Sequence, residues 1–303
     1  MSIDLDEKGL SALPADLSNI EKLTARGNRI ESVPETIGHL TSLKDLRLGK
    51  NLLMSVPESL WDLTDLETLD LSENRLSSIS EGVGNLVRLR MLDLGHNELT
   101  SLPEALGNLT ALSDYLYLSN NRLSAIPESI GNLIMLAYLN ITDNQLTNLP
   151  TTIGGLVRLR ELRLYNNRLT ALPESIGKLS NLREIHAMHN ELVSLPESIG
   201  ELGSLRELAL QGNRIATIPE SIGGLVRLTR LDLKNNRVAK LPKSIRDLRS
   251  LTHLDLRANR LAELPESIRD LPSLEKLDLR WNKLTTVPEW IGELEPRGCV
   301  ALL

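Results

Sequence analysis

Phenylalanine is absent from this chain of 303 residues, and aromatic residues make up only 2% of it. Its core must therefore be filled by aliphatic side chains, and leucine recurs throughout. The single cysteine, Cys299, excludes an intramolecular disulfide and is typical of a reducing compartment. The sequence has neither an apolar run long enough for a membrane span nor the basic and apolar segments of a signal peptide near Met1. A net charge of −6 lacks the basic excess of a nucleic-acid-binding protein. We expect a soluble, cytoplasmic protein.

An internal repeat organises the sequence. Asparagine recurs every 23 residues, with one interval of 24, at positions 28, 51, 74, 97, 121, 144, 167, 190, 213, 236, 259 and 282. Proline recurs with the same period from position 34 to position 288, and Ser80 occupies the one vacant proline position. A typical repeat has the pattern Leu66-x-x-Leu69-x-Leu71-x-x-Asn74. Such a period predicts stacked, nearly identical structural units.

Each recurring residue has a physical reason. The Leu-x-Leu alternation predicts a short strand with the leucines inward and the intervening residue outward. Asparagine follows that strand because its amide can satisfy backbone groups of a turn. The Pro-Glu pair, as in Pro173-Glu174, suits the start of a helical turn, where proline loses no hydrogen bond and glutamate meets the positive end of the helix dipole.

The repeat Leu-Pro-Glu-Ser-Ile-Gly-x-Leu resembles the leucine-rich-repeat superfamily, in its 23-residue intracellular and bacterial class, over nearly the whole chain. The resemblance implies an α/β solenoid curved like a horseshoe, with a parallel sheet on the concave face and short helices or 3-10 turns on the convex face. It also implies a protein that binds other proteins. We expect about 13 rungs in one domain: an N-terminal capping rung over 1–27, regular repeats over 28–287 and a C-terminal cap over 288–303.

Candidate binding residues lie at the outward strand positions, because the repeat itself requires no particular residue there. All four tyrosines of the chain fall on this face. Tyrosine, methionine and arginine are enriched at protein interfaces. We therefore predict a partner-binding site on the central concave face, with tyrosine anchors, polar contacts and one adaptable methionine. Its residues are Tyr115, Tyr117, Tyr138, Asn140, Arg163, Tyr165, His186 and Met188.

The alternative interpretation of the tyrosines is that they only cover an otherwise wet sheet, since outward strand positions favour aromatic residues. The one 24-residue repeat, around Ser113, contains an extra residue before its strand, which predicts a bulge beside the tyrosines.

Charged columns mark the C-terminal third and the edges of the repeats. Asp232, Asp255 and Asp278 alternate with lysine and arginine, which favours a solvated ion-pair lattice. An acidic stripe that recruits a basic partner stays open as the alternative. Arginine regularly follows the asparagine, and glutamate regularly follows the proline. We interpret these two edges as serving solubility and helix capping.

No pattern for catalysis or for a cofactor is present: phosphate-binding glycine loops and the usual hydrolase and zinc motifs are missing. The best metal candidate, His186 with His189, lacks a third ligand, since His96 lies four rungs away. Cys299 has no nearby histidine and resembles a small buried hydrophobic residue. We therefore expect no enzyme, metal or cofactor.

We expect a monomeric, non-enzymatic module or scaffold in intracellular signalling or regulation. Its partner would be a protein, not nucleic acid or a membrane. Three alternatives remain open: a bacterial effector that is secreted without a signal peptide and binds host proteins, a repeat protein that binds a small ligand, and a natural or designed scaffold with no specific partner.

Overall fold

The computed structural model describes residues 1–303 and consists of short parallel strands that alternate with 3-10 helices. The chain consists of two compact units, an N-terminal unit, Met1–Leu146, and a C-terminal unit, Thr147–Leu303. The predicted leucine-rich-repeat architecture is confirmed, whereas the single domain stays a prediction. None of the helices has the length and apolar character needed to cross a bilayer.

The N-terminal unit contains seven three-residue strands, each paired in parallel with its neighbours in the chain. The strands are β1 (Ser2–Asp4), β2 (Lys22–Thr24), β3 (Asp45–Arg47), β4 (Thr68–Asp70), β5 (Met91–Asp93), β6 (Tyr115–Tyr117) and β7 (Tyr138–Asn140). The 3-10 helices are η1 (Glu35–His39), η2 (Glu58–Asp62), η3 (Glu81–Asn85), η4 (Glu104–Asn108) and η5 (Glu128–Asn132).

The C-terminal unit repeats this plan with seven further parallel strands. The strands are β8 (Glu161–Arg163), β9 (Glu184–His186), β10 (Glu207–Ala209), β11 (Arg230–Asp232), β12 (His253–Asp255), β13 (Lys276–Asp278) and β14 (Val300–Leu302). The 3-10 helices are η6 (Thr151–Gly155), η7 (Glu174–Lys178), η8 (Glu197–Glu201), η9 (Glu220–Gly224), η10 (Lys243–Asp247), η11 (Glu266–Ile268), η12 (Glu289–Glu293) and η13 (Glu295–Arg297).

The predicted rungs correspond closely to these strands. Strand β1 belongs to the first rung, the next twelve strands each precede one of the recurring asparagines, and β14 is the closing apolar strand. Helices η12 and η13 follow the last of these asparagines. The thirteen expected rungs are thus all present.

Leucine dominates the core because each of the strands β2–β13 has a buried aliphatic residue at its centre, which is leucine in all but β9. In consecutive strands Leu46, Leu69 and Leu92 are fully buried and are Cα partners of one another. Each such leucine stabilises the fold by about 1.5–3 kcal/mol relative to an exposed one. Stacked aliphatic columns of this kind leave little room for large rings, which explains the near absence of aromatic residues.

The recurring asparagines join neighbouring rungs. Nδ2 of Asn97 donates to the carbonyl oxygens of Leu94 and of Leu71, the latter in the preceding rung, at 3.1 and 3.0 Å. Its Oδ1 accepts the backbone N–H of Leu76, also in the preceding rung, at 3.0 Å. Asn97 is only 8% exposed, so these bonds satisfy backbone groups that water cannot reach. The predicted turn role of asparagine is confirmed and extends across rungs.

The prolines immediately precede the 3-10 helices. The carbonyl oxygen of Pro196, for example, accepts the N–H of Ile199 at 3.1 Å and closes the first turn of η8. The following glutamates cap the next helix along the chain. Both oxygens of Glu174 accept backbone N–H groups, from Glu197 at 3.3 Å and from Ser198 at 3.0 Å. The Ser198 N–H bond holds the pKa of Glu174 below its usual value. The capping role predicted for this acidic edge is confirmed.

Adjacent helices approach so closely that most repeats have glycine at one position. A Cβ on Gly177 would lie 2.6 Å from the carbonyl oxygen of Ser198, and one on Gly200 would overlap the carbonyl oxygen of Ser221. Three repeats are exceptions: Trp61 occupies the glycine position in η2, and Arg246 and Arg269 occupy it in the repeats of η10 and η11. Gly82 replaces the serine that would otherwise meet Trp61, and the indole fills the space where a Cβ on Gly82 would lie.

The extra residue of the 24-residue repeat is accommodated before β6. In the preceding rung Arg90 and Met91 both donate to the carbonyl oxygen of Glu67. Here Ser113 and Asp114 donate to the carbonyl of Arg90, so the pair of donors lies one residue earlier relative to the strand. The irregularity predicted beside the tyrosines is present, and β6 keeps the common register.

A candidate protein-binding face

The strand face comprises the first and last residues of each strand, which flank the buried leucine on the outward side, and the residue two positions after the strand. Several of these residues are nevertheless buried. Asp70 is 4% exposed, Asn140 8% and Asp278 1%. Cross-strand neighbours cover them, because parallel strands lie only about 4.8 Å apart.

The N-terminal unit places three of the predicted tyrosines in contact. The ring centroids of Tyr115 and Tyr117 lie 4.8 Å apart at 53°. Those of Tyr117 and Tyr138 lie 5.2 Å apart in an edge-on arrangement at 62°. Tyr115 and Tyr138 are Cα partners, which confirms the predicted adjacency, and Tyr117 contacts both rings. All three are half-buried. Asn140, the Cα partner of Tyr117, accepts the N–H of Thr142 at 3.1 Å.

An unusual carboxylate borders the tyrosine cluster. Asp93 is the Cα partner of Tyr117 on one side and of Asp70 on the other. Burial, together with the charge of Asp70, raises the pKa of Asp93 to about 6, although the N–H of Gly95 donates to Asp93 at 2.9 Å. The charge of Arg26 opposes this rise, but its guanidinium pairs with Asp70, at 3.4 Å. Asp93 therefore carries a charge that is poorly compensated beside aromatic rings.

We expect Asp93→Asn to change the pH dependence of stability. The folded-state pKa of Asp93 lies above the unfolded value of about 3.9, so the wild type loses stability as the pH rises through 6. At pH 8 the free energy of unfolding of the asparagine variant should exceed that of the wild type by about 1–3 kcal/mol. This difference should vanish near pH 4. Urea unfolding between pH 4 and pH 8 measures this difference. Asp62→Asn, at an exposed acid in the same unit, is the control, and a gain independent of pH would contradict the expectation.

The other four predicted residues lie in the C-terminal unit. Nε of Arg163 lies 2.6 Å from Oε1 of Glu161. Nε2 of His186 lies 3.0 Å from Oε2 of Glu184, and Arg163 and His186 are Cα partners. Tyr165 and Met188 follow their strands by two residues and are half-buried. Whether these four residues bind a partner stays a prediction.

One group on β8 and β9 has the composition of a metal site. Ligand atoms of Glu161, Glu184 and His186 lie within 4.8 Å of one another. His189, the partner suggested by the sequence, lies outside this group and is exposed. Because the Arg163 guanidinium already bonds Glu161, the arrangement is satisfied as an ion-pair network.

The predicted ion-pair lattice is present in two of its three rungs. Nε of Arg257 lies 2.9 Å from Oδ1 of Asp255 and 3.3 Å from Oδ2 of Asp278. Arg280 bonds Asp278 at 2.9 and 2.7 Å. Burial acts to raise the pKa of Asp278, but the Arg280 hydrogen bonds and the two arginine charges outweigh it and lower that pKa. Asp232, in the third rung, has no cation within 4 Å.

Cys299 occupies the position expected of a structural residue. It is 2% exposed, and burial raises the pKa of its thiol. Both properties oppose formation of the reactive thiolate.

The sequence does not single out Asp93, and it predicts Asp232 only as a member of the ion-pair lattice. A signal exists for each: Asp93 lies between Asp70 and Tyr117 in one column, and Asp232 is followed after two residues by Lys234 where the next rungs have arginine.

In each unit the stacked rungs bury their leucines and present the outward strand residues on one face. This arrangement defines a repeat protein. A family model described as leucine-rich repeat region matches residues 104–208 and 220–296, and a second, described as leucine rich repeat, matches residues 18–76, 65–123 and 180–238. The chain belongs to the leucine-rich-repeat family. Among curated proteins, none matches this chain.

Solved structures agree with this assignment. A leucine-rich-repeat protein of Leptospira interrogans is 33% identical, with a TM-score of 0.77, over 97% of this chain and 82% of that chain. A TDR receptor is 31% identical, with a TM-score of 0.75, over 88% of this chain and 48% of that chain. The plant peptide hormone receptor RGFR1, solved in complex with RGF2, is 29% identical, with a TM-score of 0.61, over 100% of this chain and 57% of that chain. Leucine-rich-repeat proteins are generally non-enzymatic binding scaffolds, and the fold fits a protein-protein interaction module.

Proposed function

We propose that this chain binds a protein partner through the strand face around Tyr115, Tyr117 and Tyr138. The observation that supports the proposal is the contact of three half-buried rings at outward positions, where the repeat itself requires no aromatic residue. These three rings account for three of the four tyrosines in the chain.

The cluster has the physical properties of an interface anchor. Tyrosine offers a large amphipathic area with few rotatable bonds, and the contacts of Tyr117 with both neighbours restrict the rings before a partner arrives. The phenol groups supply hydrogen bonds at the same place. Asp93 adds a negative charge at the border of the cluster, which favours a partner with a basic group there.

The proposed setting is intracellular signalling or regulation, with the chain acting as a monomer. A single buried cysteine and a net charge of −6 support a protein of a reducing compartment that does not depend on nucleic acid. Asn140, Arg163, Tyr165, His186 and Met188 are proposed as further partner contacts.

The test is affinity capture from a lysate of the source organism, with the wild type beside Tyr117→Ala/Tyr138→Ala. Hot-spot aromatic residues typically contribute 2 kcal/mol or more each, so we expect the double variant to lose the captured partner, with at least a hundredfold weaker affinity once that partner is purified. Both changes remove half-buried rings, so the free energy of unfolding should fall by about 1–2 kcal/mol without loss of the fold.

Ile134→Ala is the matched control. Ile134 is 50% exposed, lies in the same unit and is outside the strand face. A partner retained by the wild type and by Ile134→Ala but not by the double variant supports the proposal. A partner retained equally by all three proteins would contradict the tyrosine site.

A further inference from the structure

The strand face of the C-terminal unit contains a polar groove of about 280 Å³. Its floor is formed by Leu208, Leu231 and Leu254 in the centres of β10, β11 and β12. Asp232 and Asp255 lie side by side along it as Cα partners. Next to Asp232, β10 ends in Ala209, whereas β11, β12 and β13 each end in aspartate.

The two following rungs show how this chain satisfies its aspartates. In each, an arginine two residues after the aspartate turns back onto the strand face. The Arg257 guanidinium lies between Asp255 and Asp278, and the Arg280 guanidinium contacts Asp278. The repeat therefore builds a ladder in which carboxylates and guanidinium groups alternate.

The ladder is interrupted at Asp232. The equivalent residue there is Lys234, and its ammonium group makes no ion pair within 4 Å. The carboxylate of Asp232 accepts only the backbone N–H of Lys234, at 2.9 Å. The space between Asp232 and Asp255 thus lacks the guanidinium that fills the equivalent space one rung later.

We propose that this gap receives the guanidinium group of one arginine side chain from a protein partner, which continues the ladder of Arg257 and Arg280 by one step. The assignment rests on the protein-binding role proposed above and names the chemistry of one partner contact. A planar guanidinium fits because it can contact two carboxylates at once, as Arg257 does in the next rung, where it donates to Asp255 and forms an ion pair with Asp278.

The electrostatics around the gap agree with this occupant. Burial raises the pKa of Asp232 and the charge of Asp255 adds to that effect, although the Lys234 N–H bond and the charges of Arg257 and Lys234 act against it. A further cation between Asp232 and Asp255 would relieve the repulsion of the two carboxylates. The opposite wall carries Arg230, His253 and Lys276. These groups disfavour a run of several basic residues, so the expected partner presents an isolated arginine.

The binding test uses the peptide acetyl-Gly-Arg-Gly-amide titrated into the full chain at low ionic strength, followed by NMR or calorimetry. We expect saturable binding that weakens about tenfold or more in Asp232→Asn, because one of the two carboxylates loses its charge. Asp247→Asn is the matched control: it changes the net charge equally at an exposed acid outside the groove, and it should bind within twofold of the wild type.

A second variant tests the ladder itself. Lys234→Arg introduces the residue that closes the gap in the next two rungs, so its guanidinium should occupy the site from within the chain. We expect this variant to lose peptide binding and to melt at a higher temperature than the wild type. Binding by Lys234→Arg and Asp232→Asn that equals the wild type, or no measurable peptide binding by the wild type, would overturn the proposal.

Two further measurements test the preference for a guanidinium group and the independence of this groove from the tyrosine site. Acetyl-Gly-Lys-Gly-amide should bind at least fivefold more weakly than the arginine peptide, and equal binding would overturn the guanidinium assignment. Tyr117→Ala/Tyr138→Ala should bind the arginine peptide as the wild type does, because those tyrosines belong to the N-terminal unit. Failure of the tyrosine site and failure of the arginine site therefore give different results.

Discussion

Asn97→Ala is expected to lower the free energy of unfolding by about 3–5 kcal/mol. The amide donates to the buried carbonyl oxygens of Leu71 and Leu94 and accepts the N–H of Leu76. Alanine would leave the Leu76 N–H without a partner in a site that is 8% exposed, which costs about 1–3 kcal/mol. It would also remove one of the two asparagine hydrogen bonds that each of the Leu71 and Leu94 carbonyl oxygens accepts, at about 0.5–1.5 kcal/mol each. Urea unfolding followed by circular dichroism measures the loss.

The matched control is Asn85→Ala. Asn85 is an exposed residue of η3 in the same unit, so its replacement should change stability by less than about 0.5 kcal/mol. Equal effects of the two substitutions would show that the recurring asparagines are not structural.

The second large effect is expected for Gly200→Ala in the C-terminal unit. The new methyl group would overlap the carbonyl oxygen of Ser221 in the next helix, and backbone atoms cannot rotate away as a side chain can. Helices η8 and η9 would have to separate, which should cost about 3 kcal/mol or more. A thermal melt and a urea titration should both report the destabilisation.

Gly203→Ala provides the comparison three residues later. A Cβ on Gly203 meets no atom within 4 Å, and the residue lies outside the left-handed region. This variant should match the wild type or gain a few tenths of a kcal/mol from reduced freedom of the unfolded chain. If Gly200→Ala were as stable as Gly203→Ala, close helix contact would not be the reason for glycine at position 200.

The sequence predicted the repeating parts of the molecule well, because each depends on local and periodic constraints. Leucine alternation located the strands, and the asparagine spacing gave the register in which Tyr115 and Tyr138 are partners. The hydrogen bonds of Asn97 to the preceding rung were not predicted. An asparagine that binds only its own turn and one that also binds the preceding rung would recur with the same period in the sequence.

The candidate sites were predicted less completely, because outward positions differ in how their neighbours cover them. Asp70 occupies an outward column yet is 4% exposed, since Ser72 and the backbone beside Gly49 enclose its carboxylate. Asp232 and Asp255 occupy the same column, but only Asp255 has a guanidinium partner. That difference depends on the length and geometry of the residue two positions later, which the period alone does not describe.

The exchange of Trp61 with Gly82 has a consequence for any attempt to shorten, lengthen or recombine this chain. The large residue belongs to one 23-residue copy and the space that admits it belongs to the next, so the two copies are matched to each other and not to an average repeat. Duplicating residues 51–73 would set the indole of the first copy against Ser59 of the second, and deleting residues 74–96 would set it against Ala105. The unit to be kept intact here is therefore the pair of helices η2 and η3. Recombination should succeed where the crossover keeps Trp61 and Gly82 in adjacent repeats.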